Sequence, residues 1–194
     1  MASAFNPAPP SSRWGSAMGQ APTISGIDHV GLAVRDIEAA TAFLKAALGA
    51  EVIYETLKRR SEPQGGPETE QRLNLTPGSE IRAIRMLRVQ NGPGIELFEI
   101  AAPDQHQPAR ASDLGWQHIA VYTADMEAAL ERFTAAGGIV LAPPHELPPL
   151  EQGPSNQFCY TQAPFGALIE FVSYPSTQLY TKHTSRRRWT PDRT

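Results

Sequence analysis

Two histidines and two glutamates carry the chemistry this sequence offers. His29 opens the stretch Ile27-Asp28-His29-Val30-Gly31-Leu32, and His118 opens Trp116-Gln117-His118-Ile119-Ala120-Val121, 89 positions later. Glu96 stands in Gly94-Ile95-Glu96-Leu97-Phe98 and Glu170 in Leu168-Ile169-Glu170-Phe171-Val172, each between bulky apolar residues. A carboxylate buried alone is costly, so such a group is normally paired or bound to a cation. Imidazole nitrogen and carboxylate oxygen together suit a divalent first-row metal: zinc, nickel, cobalt, manganese or ferrous iron. Four protein ligands in an octahedral shell leave two positions for water or substrate, the open shell that Lewis-acid catalysis needs. Each residue alone is an ordinary strand residue; the symmetry of the four is the signal. Glu99, three positions after Glu96, is the competing acid. Strand alternation turns it to the opposite face.

The symmetry comes from an internal repeat. Asp36, Glu38, Ala39, Ala40, Ala46, Ala47 and Gly49 recur at the same offset as Asp125, Glu127, Ala128, Ala129, Ala135, Ala136 and Gly138, the mark of a duplicated unit. In each copy the histidine lies on a strand (24–34; 116–122). A helix capped by an aspartate follows: Asp36 before Ile37 to Leu48, and Asp125 before a helix reaching Ala136. Glycines close both, Gly49 and the Gly137-Gly138 pair. Further strands are predicted over 51–57, 80–89 and 94–100, then 139–142, 158–161 and 167–173. Asn91-Gly92-Pro93-Gly94 predicts a hairpin turn. Each half reads β-α-β-β-β, and two such halves make a curved half-barrel sheet with helices outside and a groove inside. The expected divisions are an N-terminal arm (1–23), a first module (24–101), a linker (102–112), a second module (113–174) and a C-terminal tail (175–194).

Glu96 and Glu170 are 74 apart, 15 fewer than the histidines, so the first half carries extra chain. The polar stretch from Lys58 to Gly78 is the natural place, as a surface excursion or a lid over substrate. Its Arg59, Arg60 and Arg72 are solubilising by default, with carboxylate or phosphate binding as the alternative. Pro143 to Pro154 predicts an irregular loop. The three consecutive arginines of the tail, Arg186, Arg187 and Arg188, suggest anion binding; a solvated arm, or one that wraps a partner subunit, is the preferred reading.

Composition narrows the classes. The chain has 194 residues, 41% hydrophobic, with a net charge of −3. That charge offers no concentrated basic patch for nucleic acid or a membrane surface. No apolar run approaches a bilayer span, and the N-terminus lacks a secretory pattern. One cysteine, Cys159, rules out an intrachain disulfide and fits the cytoplasm; it reads as a small apolar strand residue.

The quoted motifs resemble the vicinal-oxygen-chelate superfamily, which includes glyoxalase I, methylmalonyl-CoA epimerase, extradiol dioxygenases and bleomycin- or fosfomycin-resistance proteins. The resemblance spans about Ile24 to Tyr174 and is closest to glyoxalase-type sites. It implies metal binding by His29, Glu96, His118 and Glu170, with Glu170 or Glu96 as the base, and a homodimer whose site lies within one chain or across two. The implied activity is that of a metal-dependent lyase or isomerase, which chelates a small substrate through two neighbouring oxygens and stabilises an enediolate. The alternatives are a ferrous-iron dioxygenase and a small-molecule binding or resistance protein.

Overall fold

The computed structural model describes residues 24–191; the N-terminal arm lies outside that range. The first module runs β1 (His29–Val34), α1 (Ile37–Leu48), β2 (Glu51–Leu57), β3 (Gln64–Gly65), α2 (Pro67–Leu73), β4 (Glu80–Arg88) and β5 (Gly94–Ala101). The second runs β6 (His118–Tyr122), α3 (Met126–Ala135), β7 (Ile139–Val140), β8 (His145–Glu146), β9 (Gln157–Gln162) and β10 (Leu168–Ser173). Strand order is β1-β5-β4-β2 in one sheet and β6-β10-β9-β7 in the other, with β3 added to β4 and β8 to β9. The repeat seen in sequence is thus a repeat of topology. In both modules the first strand pairs parallel with the last, β1 with β5 and β6 with β10. The first strands are shorter than predicted, starting at His29 and His118.

The helices begin where their caps dictate. Asp36 is extended, and its Oδ1 accepts from the amides of Glu38 (2.9 Å) and Ala39 (3.0 Å); Asp125 Oδ1 accepts from Ala128 at 3.0 Å. Such caps satisfy amides that have no partner inside the helix. Gly49 ends α1 at φ 67°, where a side chain would be strained. In the second copy Ala136 ends α3, and Gly138 is small because a Cβ there would overlap the Phe133 ring.

The modules are joined through their helices. Phe43 of α1 meets Phe133 of α3 edge to face, ring centres 5.1 Å apart, and Phe165 at 5.6 Å; Phe133 in turn meets Phe171 of β10 at 5.4 Å. Arg132 closes the junction by donating to the Ala46 carbonyl at 2.9 Å. Val34, Leu87, Leu97, Ile169 and Phe171 from the two sheets belong to this same core. Each sheet therefore spends one face on the shared core and keeps the other outward. Among the described residues the two sheets do not join: β1 and β6 each stand at the end of a separate sheet.

The 58–78 stretch is ordered. β3 pairs with β4, and α2 starts on Pro67 and ends on Asn74 at φ 53°. Only Thr69 of α2 is buried, so the helix has no apolar periodicity to betray it. The tail folds back on its own module: one 3-10 turn (Leu179–Lys182), then a run whose Trp189 carbonyl accepts from the Tyr122 hydroxyl at 2.7 Å.

Candidate metal-binding half-sites

Alternation sets which side chains reach the outward face. On β1, Leu32 and Val34 pack into the core, which turns His29, Gly31 and Ala33 outward. On β5, Ile95, Leu97 and Glu99 are buried while Glu96 and Phe98 are only partly so. The parallel register puts Glu96 beside Gly31 and Gly94 beside His29. The result is a direct contact, His29 Nε2 to Glu96 Oε2 at 3.2 Å. Gly94 makes room for it: a Cβ there would come within 2.9 Å of the Met86 sulfur and 3.3 Å of His29 Cβ. The other ring nitrogen, Nδ1, is 2.7 Å from Asp28 Oδ2. Held between two carboxylates, His29 keeps its proton to a higher pH than an ordinary histidine; the Asp28 hydrogen bond is the main cause, partial burial opposes it, and the Glu96 charge adds to it. An Nδ1–H anchored on a carboxylate is also how proteins orient a metal-binding histidine.

The second copy repeats the contact. His118 Nε2 lies 3.2 Å from Glu170 Oε2. Here the neighbour is an aromatic wall in place of an acid: Tyr160 of β9 stands edge-on to the His118 ring at 5.1 Å, its hydroxyl 3.4 Å from Nε2. Burial raises the Glu170 carboxyl above its ordinary range; the His118 charge opposes this, Glu151 reinforces it and Arg188 opposes it. Glu170 is thus the more proton-hungry form of a carboxylate that general-base chemistry requires. Burial also raises Tyr160, so it stays a neutral phenol.

The four predicted ligands come together as two pairs, His29 with Glu96 and His118 with Glu170. Among the described residues no group of three or more His, Cys, Asp or Glu side chains is placed to hold a metal ion. The donor chemistry fits a divalent cation, one nitrogen and one oxygen from each module on an outward face, but one pair is only half of the four-ligand set.

Glu99 has a different task. Its side chain is 4% exposed, and its Oε2 accepts from the Ile37 amide at 2.9 Å at the start of α1. Arg59 Nε sits 3.2 Å from its Oε1 and 3.6 Å, through Nη1, from Asp36. Arg59 therefore braces the α1 N-terminus, which answers the anion-binding alternative for that residue. Cys159 is buried, its thiol donating to the Ala142 carbonyl at 3.2 Å, and burial pushes its pKa up, as an inert core thiol requires. Tyr160 was not predicted. Its signal was the alternation of Phe158, Tyr160 and Gln162 against Cys159 and Thr161 on β9.

The comparisons with known proteins bear on the family and the fold. The model of a family described as the Glyoxalase/Bleomycin resistance protein/Dioxygenase superfamily matches residues 28–160. A 2-epi-5-epi-valiolone epimerase from an Actinomyces species is 31% identical over 175 residues, covering 88% of this chain and 91% of that one. Among solved structures, a glyoxalase family protein from Bacillus cereus superposes with TM-score 0.60 at 18% identity, over 78% of this chain and 95% of its own. A variant of the FosX fosfomycin resistance protein from Listeria monocytogenes, solved with Mn(II) and a dihydroxypropylphosphonic acid, gives TM-score 0.53 at 19% identity, over 84% and 100%. Likeness at these identities speaks for the fold alone. Among the described residues no helix is long and apolar enough to cross a membrane.

Proposed function

This chain belongs to the glyoxalase/bleomycin resistance protein/dioxygenase superfamily, and we propose that it is a metal-dependent epimerase of a small hydroxylated ketone of the valiolone type. Its active site is built at a homodimer interface from His29 and Glu96 of one copy and His118 and Glu170 of the other. The observation that carries the reading is the pair of equivalent His–Glu contacts, each 3.2 Å long, turned outward on separate sheets of one chain. The epimerase relative, matched along most of both chains, supports the reaction class.

Features at the strand edges support the second copy. Ile27 and Trp116 occupy the same place in the repeat, just ahead of the edge strands β1 and β6, and are 71% and 97% exposed. Ile24 and Leu114 beside them are exposed as well. Exposed apolar side chains grouped at two free edges suit an interface, and a two-fold axis sets the β1 edge of one copy against the β6 edge of the other.

A cation held by the two pairs would supply Lewis-acid polarisation of a ketone and its neighbouring hydroxyl, from the group of zinc, nickel, cobalt, manganese and ferrous iron. The protein does the rest. Asp28 fixes the His29 ring through Nδ1, so that Nε2 faces the site. Tyr160 packs the His118 ring from the side and excludes water from one flank. Glu170, with its raised affinity for a proton, takes the proton from the carbon beside the ketone and leaves the electron pair in the enediolate. Glu96, contributed by the other copy and protonated beforehand from solvent, delivers its proton to the opposite face; the configuration at that carbon is inverted, and proton exchange with solvent restores both carboxyl groups.

The test is exchange chemistry. Protein loaded with each candidate metal is incubated in deuterated water with 2-epi-5-epi-valiolone. The proposal requires a new epimer carrying one deuterium at the inverted carbon, with no oxygen consumed. Oxygen uptake with ring cleavage would establish the dioxygenase alternative instead, and binding without exchange would establish the binding-protein alternative.

A further inference from the structure

The outward face of the second module continues past the metal-binding pair into a polar cluster that the proposed chemistry does not use. Ile119 and Val121 of β6 pack into the core, so Tyr122 shares the outward face with His118. The Tyr122 ring meets Tyr174, just beyond β10, at 5.7 Å and Trp189 of the tail at 5.9 Å. Tyr122 lies four positions along the chain from His118, and Tyr174 four positions from Glu170, about 13 Å at strand spacing, less the reach of the side chains at both ends. On β6 and β10 Ala120 and Val172 stand between them on this face, Val172 covered at 2% exposed.

At the far end the tail brings Arg188 into a closed triangle. Arg188 Nη1 is 2.6 Å from Glu151 Oε2 and 3.0 Å from the Tyr174 hydroxyl, which itself donates to Glu151 Oε2 at 3.0 Å. The guanidinium also lies over the Tyr174 ring, 5.3 Å from its centre. The Arg188 amide donates to the Tyr180 hydroxyl at 3.0 Å, which fixes the backbone that carries it. The Arg188 and Glu151 side chains are 39% and 33% exposed, so each is open to further hydrogen bonds from outside.

We propose that Glu151, Tyr174 and Arg188 form a distal subsite that binds the uncharged, hydroxylated end of the substrate and discriminates against a phosphorylated one. The charges decide the class. One carboxylate already matches the guanidinium, so the cluster is neutral as a whole. A hydroxyl both donates and accepts, and can join Glu151 and Arg188 together without breaking their pair. A phosphate brings negative charge beside the Glu151 carboxylate, which already offsets the single guanidinium charge, and is repelled by it. The assignment rests on the epimerase reading only for the substrate that spans the two ends of the face.

The experiment measures binding, so that it stands apart from turnover. The full-length, metal-loaded protein is titrated by calorimetry with myo-inositol and with myo-inositol monophosphate, and the ratio of the two Kd values is compared among wild type, Glu151→Gln and Arg188→Gln. Any contribution of the metal to phosphate binding is common to all three. Glu151→Gln frees a cation and shifts the ratio toward the phosphate by about tenfold or more; Arg188→Gln leaves a lone carboxylate and shifts it the other way. Either shift in a folded variant supports the subsite. Ratios unchanged in both variants, including equal weakening of both ligands, overturn it. A shift in a protein that epimerises no ketone leaves the subsite standing and removes the epimerase reading.

Discussion

Glu96 and Glu99 stand three residues apart on one strand and do opposite work: Glu96 meets His29 on the outward face, while Glu99 is buried under α1 and receives the Ile37 amide. Variants of the two should separate cleanly. Glu99→Ala strands that amide and Arg59, and should cost about 1–3 kcal/mol of stability, read by chemical denaturation. Glu96→Gln should leave the denaturation midpoint of metal-free protein nearly unchanged while lowering metal content. The reverse pattern would exchange the two assignments.

The shared core makes a second prediction. Phe133 is fully buried, between Phe43 of the first module and Phe171 of the second. Phe133→Ala should cost about 3–5 kcal/mol. Because the ring belongs to both modules, their unfolding transitions should shift together. Loss of only the second module's transition would mean that the modules are independent.

Room at Gly94 is a third. Gly94→Val adds atoms where even a Cβ crowds the Met86 sulfur and His29 Cβ. His29 should be displaced, and metal affinity should fall by tenfold or more, the scale seen when a ligand's support is disturbed. Unchanged metal affinity in equilibrium dialysis would contradict the packing account.

Acid sensitivity is a fourth. The Arg85 guanidinium, donating to Glu38 at 2.6 and 3.0 Å, holds that carboxyl below its ordinary value of 4.5. The unfolded chain therefore takes up this proton before the folded one does. The contribution is complete above about 4.5 and is lost as pH falls through the lowered folded value. Glu38→Gln should flatten this part of the acid limb in a urea titration between pH 3 and 6 (values on the order of the carboxylate range). An unchanged limb would show that other carboxylates carry it.

The sequence was most legible where one local rule decided the outcome. Caps at Asp36, Asp125 and Gly49 marked the helix ends, and alternation sorted Glu96 from Glu99 before any coordinates. The repeat gave the topology, since two copies of one pattern can hardly fold differently. What stayed hidden depended on contacts between distant residues. α2 lacks an apolar stripe, so only its seat beside β4 reveals it. Arg188 reads as one of three tail arginines until Glu151 and Tyr174, far off in sequence, are seen to receive it. The separation of the two His–Glu pairs is decided by Phe43 and Phe133, whose contact sets helix against helix and leaves both sheet faces outward; no motif near either histidine encodes it.

The central claim is that a working site takes one pair from each of two copies. Co-expression of differently tagged His29→Ala and His118→Ala chains, followed by purification of the mixed dimer, tests this directly. In such a dimer one site loses both histidines and the other loses neither. The account predicts that each parent is inactive and holds little metal, and that the mixed dimer regains one metal ion and about half of the wild-type turnover, one intact site of two. A mixed dimer as inactive and metal-poor as its parents would contradict it.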